Sequence, residues 1–109
     1  MIVIHGLKSC DTCRRALKTL RDAGREGRLR DLRADPPDEE EIARWLEILG
    51  PGLLNTRSTT WRALSETDRA ADPVALMRAH PALVKRPIVA DGDALHLGWT
   101  DEVRAALRL

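Results

Sequence analysis

Ile2-Val3-Ile4-His5-Gly6-Leu7-Lys8-Ser9-Cys10-Asp11-Thr12-Cys13 decides the architecture of this chain. Ile2-Val3-Ile4 is a β-branched run closed by Gly6, which predicts a buried first strand. Beyond the Lys8-Ser9-Cys10 turn, Cys13, Ala16, Leu17, Leu20 and Gly24 recur at helical spacing, with Arg14, Arg15, Lys18, Arg21 and Asp22 on the other faces. A Cys-x-x-Cys therefore falls between a strand and the first turn of a helix. At that position backbone N–H groups and the positive end of the helix dipole stabilise a thiolate on the first cysteine. Lys8 and Arg14 add positive charge nearby. Cys13, one turn deeper and on the apolar stripe, is placed as a shielded resolving thiol. An exposed attacker beside a protected resolver is what thiol–disulfide exchange requires.

Plainer roles compete for the pair. A zinc site wants about four ligands, whereas there is no second Cys-x-x-Cys and His5, His80 and His96 are scattered. A structural disulfide would close a very short loop and stabilise little. Buried cysteines also serve as small apolar residues. Redox or nucleophilic chemistry is the favoured reading, with no metal.

Outward from this stretch, Gly24 and Gly27 stop the helix, and the alternation from Arg28 to Leu32 predicts a second strand. Pro36-Pro37 breaks the chain. Asp38 followed by Glu41 resembles a capping box ahead of the apolar stripe Ile42, Trp45, Leu46 and Leu49, which Gly50-Pro51 ends. The polar stretch from Asn55 to Thr60 leads to a short segment from Trp61 to Leu64. Asp72 and Pro73 then read as N-cap and first helical residue before Val74, Leu76 and Met77, and His80-Pro81 ends that helix. Residues 38–80 thus read as all-helical, with Trp45 and Trp61 in their core. Strand character returns at Pro87-Ile88-Val89-Ala90. Asp91-Gly92-Asp93 signals a hairpin completed by Ala94 to Leu97, and Thr100 caps a last helix holding Val103, Ala106 and Leu107.

The order β-α-β, helical block, β-β-α gives an α/β fold of thioredoxin-like plan. Its mixed-sheet core spans 1–35 and 82–109, its all-helical insertion spans 38–80, and 1–109 form a single domain. The balance of 18 basic against 17 acidic residues argues against a nucleic-acid or membrane-surface role carried by bulk charge. No apolar run approaches the roughly 20 residues of a membrane span. With no signal-peptide pattern at its start, and two cysteines where an extracellular framework would need more, a cytoplasmic monomer is the expectation.

Gly6-x-x-x-Cys10-x-x-x-Arg14, Leu54-Asn55-Thr56-Arg57-Ser58 with Thr60-Trp61, and His80-Pro81-x-Leu83-x-Lys85-Arg86-Pro87-Ile88 together resemble the arsenate reductase (ArsC)/Spx family, closest to its short YffB-like branch. The resemblance runs along almost the whole chain. It implies that Cys10 is the nucleophile, that Arg86 faces it, that Pro87 is a cis-proline shaping the opposite wall, and that Arg57 is the insertion's substrate- or thiol-binding arginine. A guanidinium stabilises a thiolate, and its fork holds an oxyanion or a carboxylate. Surface ion pairing by Arg57 and Arg86, and an ordinary edge-strand Pro87, are the bland alternatives. His5 reads as packing more readily than as catalysis, although it sits at the strand end toward the cysteine turn. Trp99 either lines the site or anchors the last helix.

Two departures shape the functional expectation. Glutathione-linked arsenate reductases carry a third arginine shortly after the final hairpin, where this chain has Gly98-Trp99-Thr100-Asp101-Glu102. Conversely, Cys13 is present where YffB-like members often lack a second cysteine, and it resembles the Spx-type switch. The family therefore implies a glutathione- or thiol-dependent reductase in which Cys13 or glutathione resolves the adduct, with arsenate a poor substrate. Glutathione would be the co-substrate, glutaredoxin or thioredoxin a possible donor, and no cofactor would be bound. The alternatives are a Spx-like redox-sensing regulator binding the RNA polymerase α-subunit, or a non-catalytic thiol-binding protein.

Overall fold

The structure, a computed structural model, describes residues 1–109. Its strands are β1 (Ile2–Gly6), β2 (Gly27–Asp31), β3 (Ile88–Asp91) and β4 (Ala94–Leu97), joined in one sheet in the order β2-β1-β3-β4. β1 runs parallel to β2, with Ile4 opposite Leu29, and antiparallel to β3, with Ile4 opposite Val89. A parallel neighbour needs a crossover, and α1 (Asp11–Asp22) supplies it. β3 and β4 form an antiparallel hairpin in which Gly92, with φ 59°, takes the turn position that disfavours a side chain.

One face of the sheet and two helices make a core. Ile2, Ile4 and Val89 pack with Cys13, Ala16 and Leu20 of α1, with Val103 of α6 (Asp101–Ala106) and with Leu107. α1 ends in a Schellman motif: the Arg25 N–H reaches the Leu20 carbonyl at 2.9 Å and the Gly24 N–H that of Arg21 at 3.0 Å, with Gly24 at φ 72°. This fixes where the chain turns back into β2, and so where the opposite end of α1 presents its first turn.

The chain divides into two compact units, Met1–Asp35 with Arg86–Leu109, and Pro36–Lys85. The second contains α2 (Glu39–Leu49), α3 (Thr59–Ala63), α4 (Glu66–Arg69) and α5 (Pro73–Ala79), with 3-10 turns at Pro51–Leu53 and Pro81–Leu83. Its helices begin on side-chain caps: Asp38 accepts from the Glu41 N–H, Ser58 from Trp61, Ser65 from Asp68 and Asp72 from Ala75. The segment is not purely helical. Leu54 and Val84 form a single antiparallel bridge, flanked by Asn55 N–H to Leu83 O at 2.7 Å and Lys85 N–H to Leu53 O at 2.8 Å. Ile42, Trp45, Leu53, Met77 and Leu83 are buried. Trp61 is only half-buried, its ring 5.4 Å beneath the Arg69 guanidinium, so of the two tryptophans expected in this core Trp45 alone is there.

Candidate active site

β1 and α1 position the cysteines. Cys10 is the N-cap of α1, with extended backbone (φ −85°, ψ 118°) and no side-chain capping bond of regular geometry. Its N–H is held by the Leu7 carbonyl at 3.1 Å, and its own carbonyl accepts the Arg14 N–H at 3.0 Å. Both cysteines are free thiols; Cys10 is half-buried and Cys13 fully buried. Burial alone would raise the Cys10 pKa. The Cys13 N–H, the Cys13 thiol, the Arg86 guanidinium and the Thr12 N–H together outweigh it, and the pKa falls below the ordinary thiol value. Burial pushes Cys13 the other way, up to about 11; the Leu7 N–H works against the rise, while the neighbouring Cys10 sulfur adds to it. The two sulfurs are thereby split into a readily ionised one and a protonated one.

Gly6 makes the packing behind Cys13 possible. A Cβ at residue 6 would overlap the Cys13 sulfur and lie 3.3 Å from its Cβ. The strand-ending glycine is thus a seat for the second thiol, a role its place at the end of an apolar run does not reveal.

Arg86 is the cation that acts on both sulfurs. The Arg86–Pro87 peptide is cis, Pro87 is buried, and its carbonyl accepts the Gly98 N–H at 2.8 Å, tying the residue before β3 to the end of β4. Lys8 and Arg14 are the charges that sequence spacing sets beside Cys10. Arg14 pairs with Asp11 on the helix surface, because the i,i+3 spacing brings them together. Both Lys8 and Arg14 line a hollow formed with Leu17, Arg21, Arg28 and Leu29. Arg57 lies in the second unit, exposed, in a hollow of about 460 Å³ lined also by Asn55, Thr56 and Lys85.

His5 does not point to the cysteine turn. Strand alternation sends it to the sheet face opposite Gly6, where it is buried with its Nδ1 3.4 Å from Arg30 Nη1. Burial, helped by Arg30 and Arg28 and opposed by Asp35, lowers its pKa to about 4, so it is neutral. Trp99 anchors the last helix: it packs at the margin of the core, and Arg104 lies 6.0 Å over its ring while donating to its carbonyl at 3.2 Å. Arg104 also pairs with Asp101.

A mixed four-stranded sheet with Cys-x-x-Cys at the start of its first helix and a cis-proline leading into β3 defines a thioredoxin-like thiol protein. The chain belongs to the ArsC family, whose profile matches residues 5–107. It is 39% identical over 108 residues to an uncharacterised protein of Haemophilus influenzae, covering 94% of each chain. It is 29% identical to the global transcriptional regulator Spx of Bacillus subtilis, covering 98% of this chain and 87% of that protein. Among solved structures, a YFFB protein superposes with a TM-score of 0.88 at 31% identity, over 97% of both chains. A glutaredoxin from Archaeoglobus fulgidus shares the fold, with a TM-score of 0.50 at 18% identity, over 99% of this chain and 86% of that one. No helix is long and apolar enough to cross a membrane.

Proposed function

We propose that the protein is a thiol-dependent reductase with Cys10 as nucleophile. The observation that carries this is the split of the cysteine pair, Cys10 lowered at the helix start beside Arg86 and Cys13 buried and raised to about 11. The Cys10 thiolate attacks one sulfur of an oxidised substrate, forming a mixed disulfide and expelling the other sulfur as a thiolate. The Cys13 thiol, losing its proton as it reacts, attacks the Cys10 sulfur and releases the remaining substrate thiolate. The enzyme is left with a Cys10–Cys13 disulfide, which two equivalents of an external thiol reduce. Glutathione fits that role, and can also stand in for Cys13 as resolver; a glutaredoxin or thioredoxin is the dithiol equivalent. Arg86 stabilises the attacking thiolate, and Pro87 shapes the wall leading into β3.

Arsenate is a poor substrate on this reading. After the hairpin, Thr100 caps α6, Asp101 and Glu102 occupy its first turn, and Arg104 is held by Asp101 and Trp99. Losing one preorganised oxyanion donor costs on the order of 10²–10³ in rate. Alkylation near pH 6 tests the nucleophile: one fast phase, abolished in Cys10→Ser and kept in Cys13→Ser. Equal slow alkylation of both cysteines, or robust arsenate turnover without disulfide reduction, overturns the proposal.

The likeness to Spx, together with the Cys-x-x-Cys, supports a second reading as a redox-responsive regulator. Copurification with the RNA polymerase α-subunit, sensitive to oxidation of the cysteine pair, separates it from the enzyme.

A further inference from the structure

The hollow of about 370 Å³ beside α1 is lined by Lys8, Arg14, Leu17, Arg21, Arg28 and Leu29. Arg14, Leu17 and Arg21 follow one face of α1, and Arg28 and Leu29 come from β2, an edge strand. Leu17 and Leu29 rest on the core and form an apolar floor. Arg14 has Asp11 as partner, but Lys8, Arg21 and Arg28 make no ion pair. No carboxylate lines the hollow, although the chain has 17 acidic residues. Cations gathered without ion pairs repel one another, and an acidic partner would relieve that repulsion.

We propose that this hollow docks an acidic segment with apolar side chains, belonging to the protein whose oxidised thiol Cys10 reduces; the substrate assignment rests on the reductase reading. Position supports it. Lys8 lies two residues before Cys10, and the hollow follows α1 from Arg14 to Arg21. At 1.5 Å per helical residue that is about 10 Å, the length of roughly three extended residues. A segment laid there would continue past Lys8, the lining residue that leads along the chain to the Cys10 turn. Acidic side chains meet the rim and apolar ones the two leucines. A nucleic acid would find the cations but no aromatic ring lining the hollow for base stacking.

The test separates docking from chemistry. Cys10→Ser protein is titrated with a fluorescent, cysteine-free peptide of alternating Asp, Glu and Leu, with a Lys-for-acid version of it, and with single-stranded oligothymidylate. The acidic peptide should bind, its affinity should drop about tenfold or more in Arg21→Glu/Arg28→Glu, and it should weaken as salt shortens the range of the charges. Arg15→Glu, an exposed reversal outside the hollow, should change it less than about twofold. Thermal melting verifies that each variant folds, and Arg21→Gln/Arg28→Gln replaces the reversal if that one does not. Equal binding of the two peptides, loss on Arg15→Glu as large as on the double reversal, or tighter binding of the oligonucleotide overturns the proposal. Because the assay contains no reactive cysteine at position 10, a failed reductase reading leaves its outcome intact, and the reverse also holds.

Discussion

The start of α1 differs from the start of every other α-helix in the molecule. α2, α3, α4, α5 and α6 each begin on an oxygen-bearing side chain, Asp38, Ser58, Ser65, Asp72 and Thr100, that accepts an N–H three residues on. α1 begins on Cys10, whose side chain makes no regular cap. The capped helices use their first-turn N–H groups for stability, and α1 leaves its own for a sulfur that gains from them only when ionised. The N-cap slot is therefore one piece of local geometry with two uses, and residue type selects between them.

The contrast is sharpened first by acid, which must be kept from being misread as thiol chemistry. The folded pKa of His5, about 4, lies below its free value of 6.5, so between those pH values the unfolded chain binds more protons than the folded one. Stability is full above pH 6.5 and is lost as pH falls toward 4, by on the order of 3 kcal/mol. Urea melts across this window should show the loss, and His5→Gln should flatten it if it folds. An unchanged profile would mean that His5 is not the group responsible.

Next in size is Gly6→Ala. The new Cβ meets the Cys13 sulfur, and with core on the other side the expected cost is about 1–3 kcal/mol. Reactivity should separate the sulfurs: single-turnover attack by Cys10 changes less than resolution by Cys13. Smallest is the cap comparison itself. Asp38→Ala should cost about 1 kcal/mol, whereas Cys10→Ser should gain stability of a similar size while abolishing the fast thiol. A destabilised Cys10→Ser would break the idea that α1 forgoes a cap.

Much of this was readable in the chain because the signals are local. Asp38, Asp72-Pro73 and Thr100 cap where their side chains predict, and Gly92 turns the hairpin. α3 overlaps the short segment from Trp61 to Leu64, but neither it nor α4 carries an apolar stripe, because five and four residues are too few to show one; their Ser caps are the local signals of where they begin. The Leu54–Val84 bridge pairs residues remote in sequence and leaves no pattern. The same limit governed the charges. Lys8 and Arg14 are sequence neighbours of Cys10, and Arg14 also pairs with Asp11, while Arg86, remote along the chain, is the cation that lowers the Cys10 pKa. Motif resemblance singles out Arg86; spacing cannot. His5 is a packing residue, as its strand setting favours, and its side chain leaves the cysteine turn because alternation puts neighbours on opposite faces.

The nearness of Arg86 to Cys10 also makes the net charge of the site a record of its last reaction. When Cys10 is ionised, sulfur and guanidinium cancel. Once that sulfur enters any S–S bond, internal or mixed, its negative charge is gone and the arginine stands as an uncompensated cation. The residue that favours ionisation in the reduced protein thus turns, in the oxidised one, into an attractor for the next thiolate to arrive. On the proposed reductase reading one guanidinium thus serves both halves of the cycle, because the sulfur beside it alternates between negative and neutral.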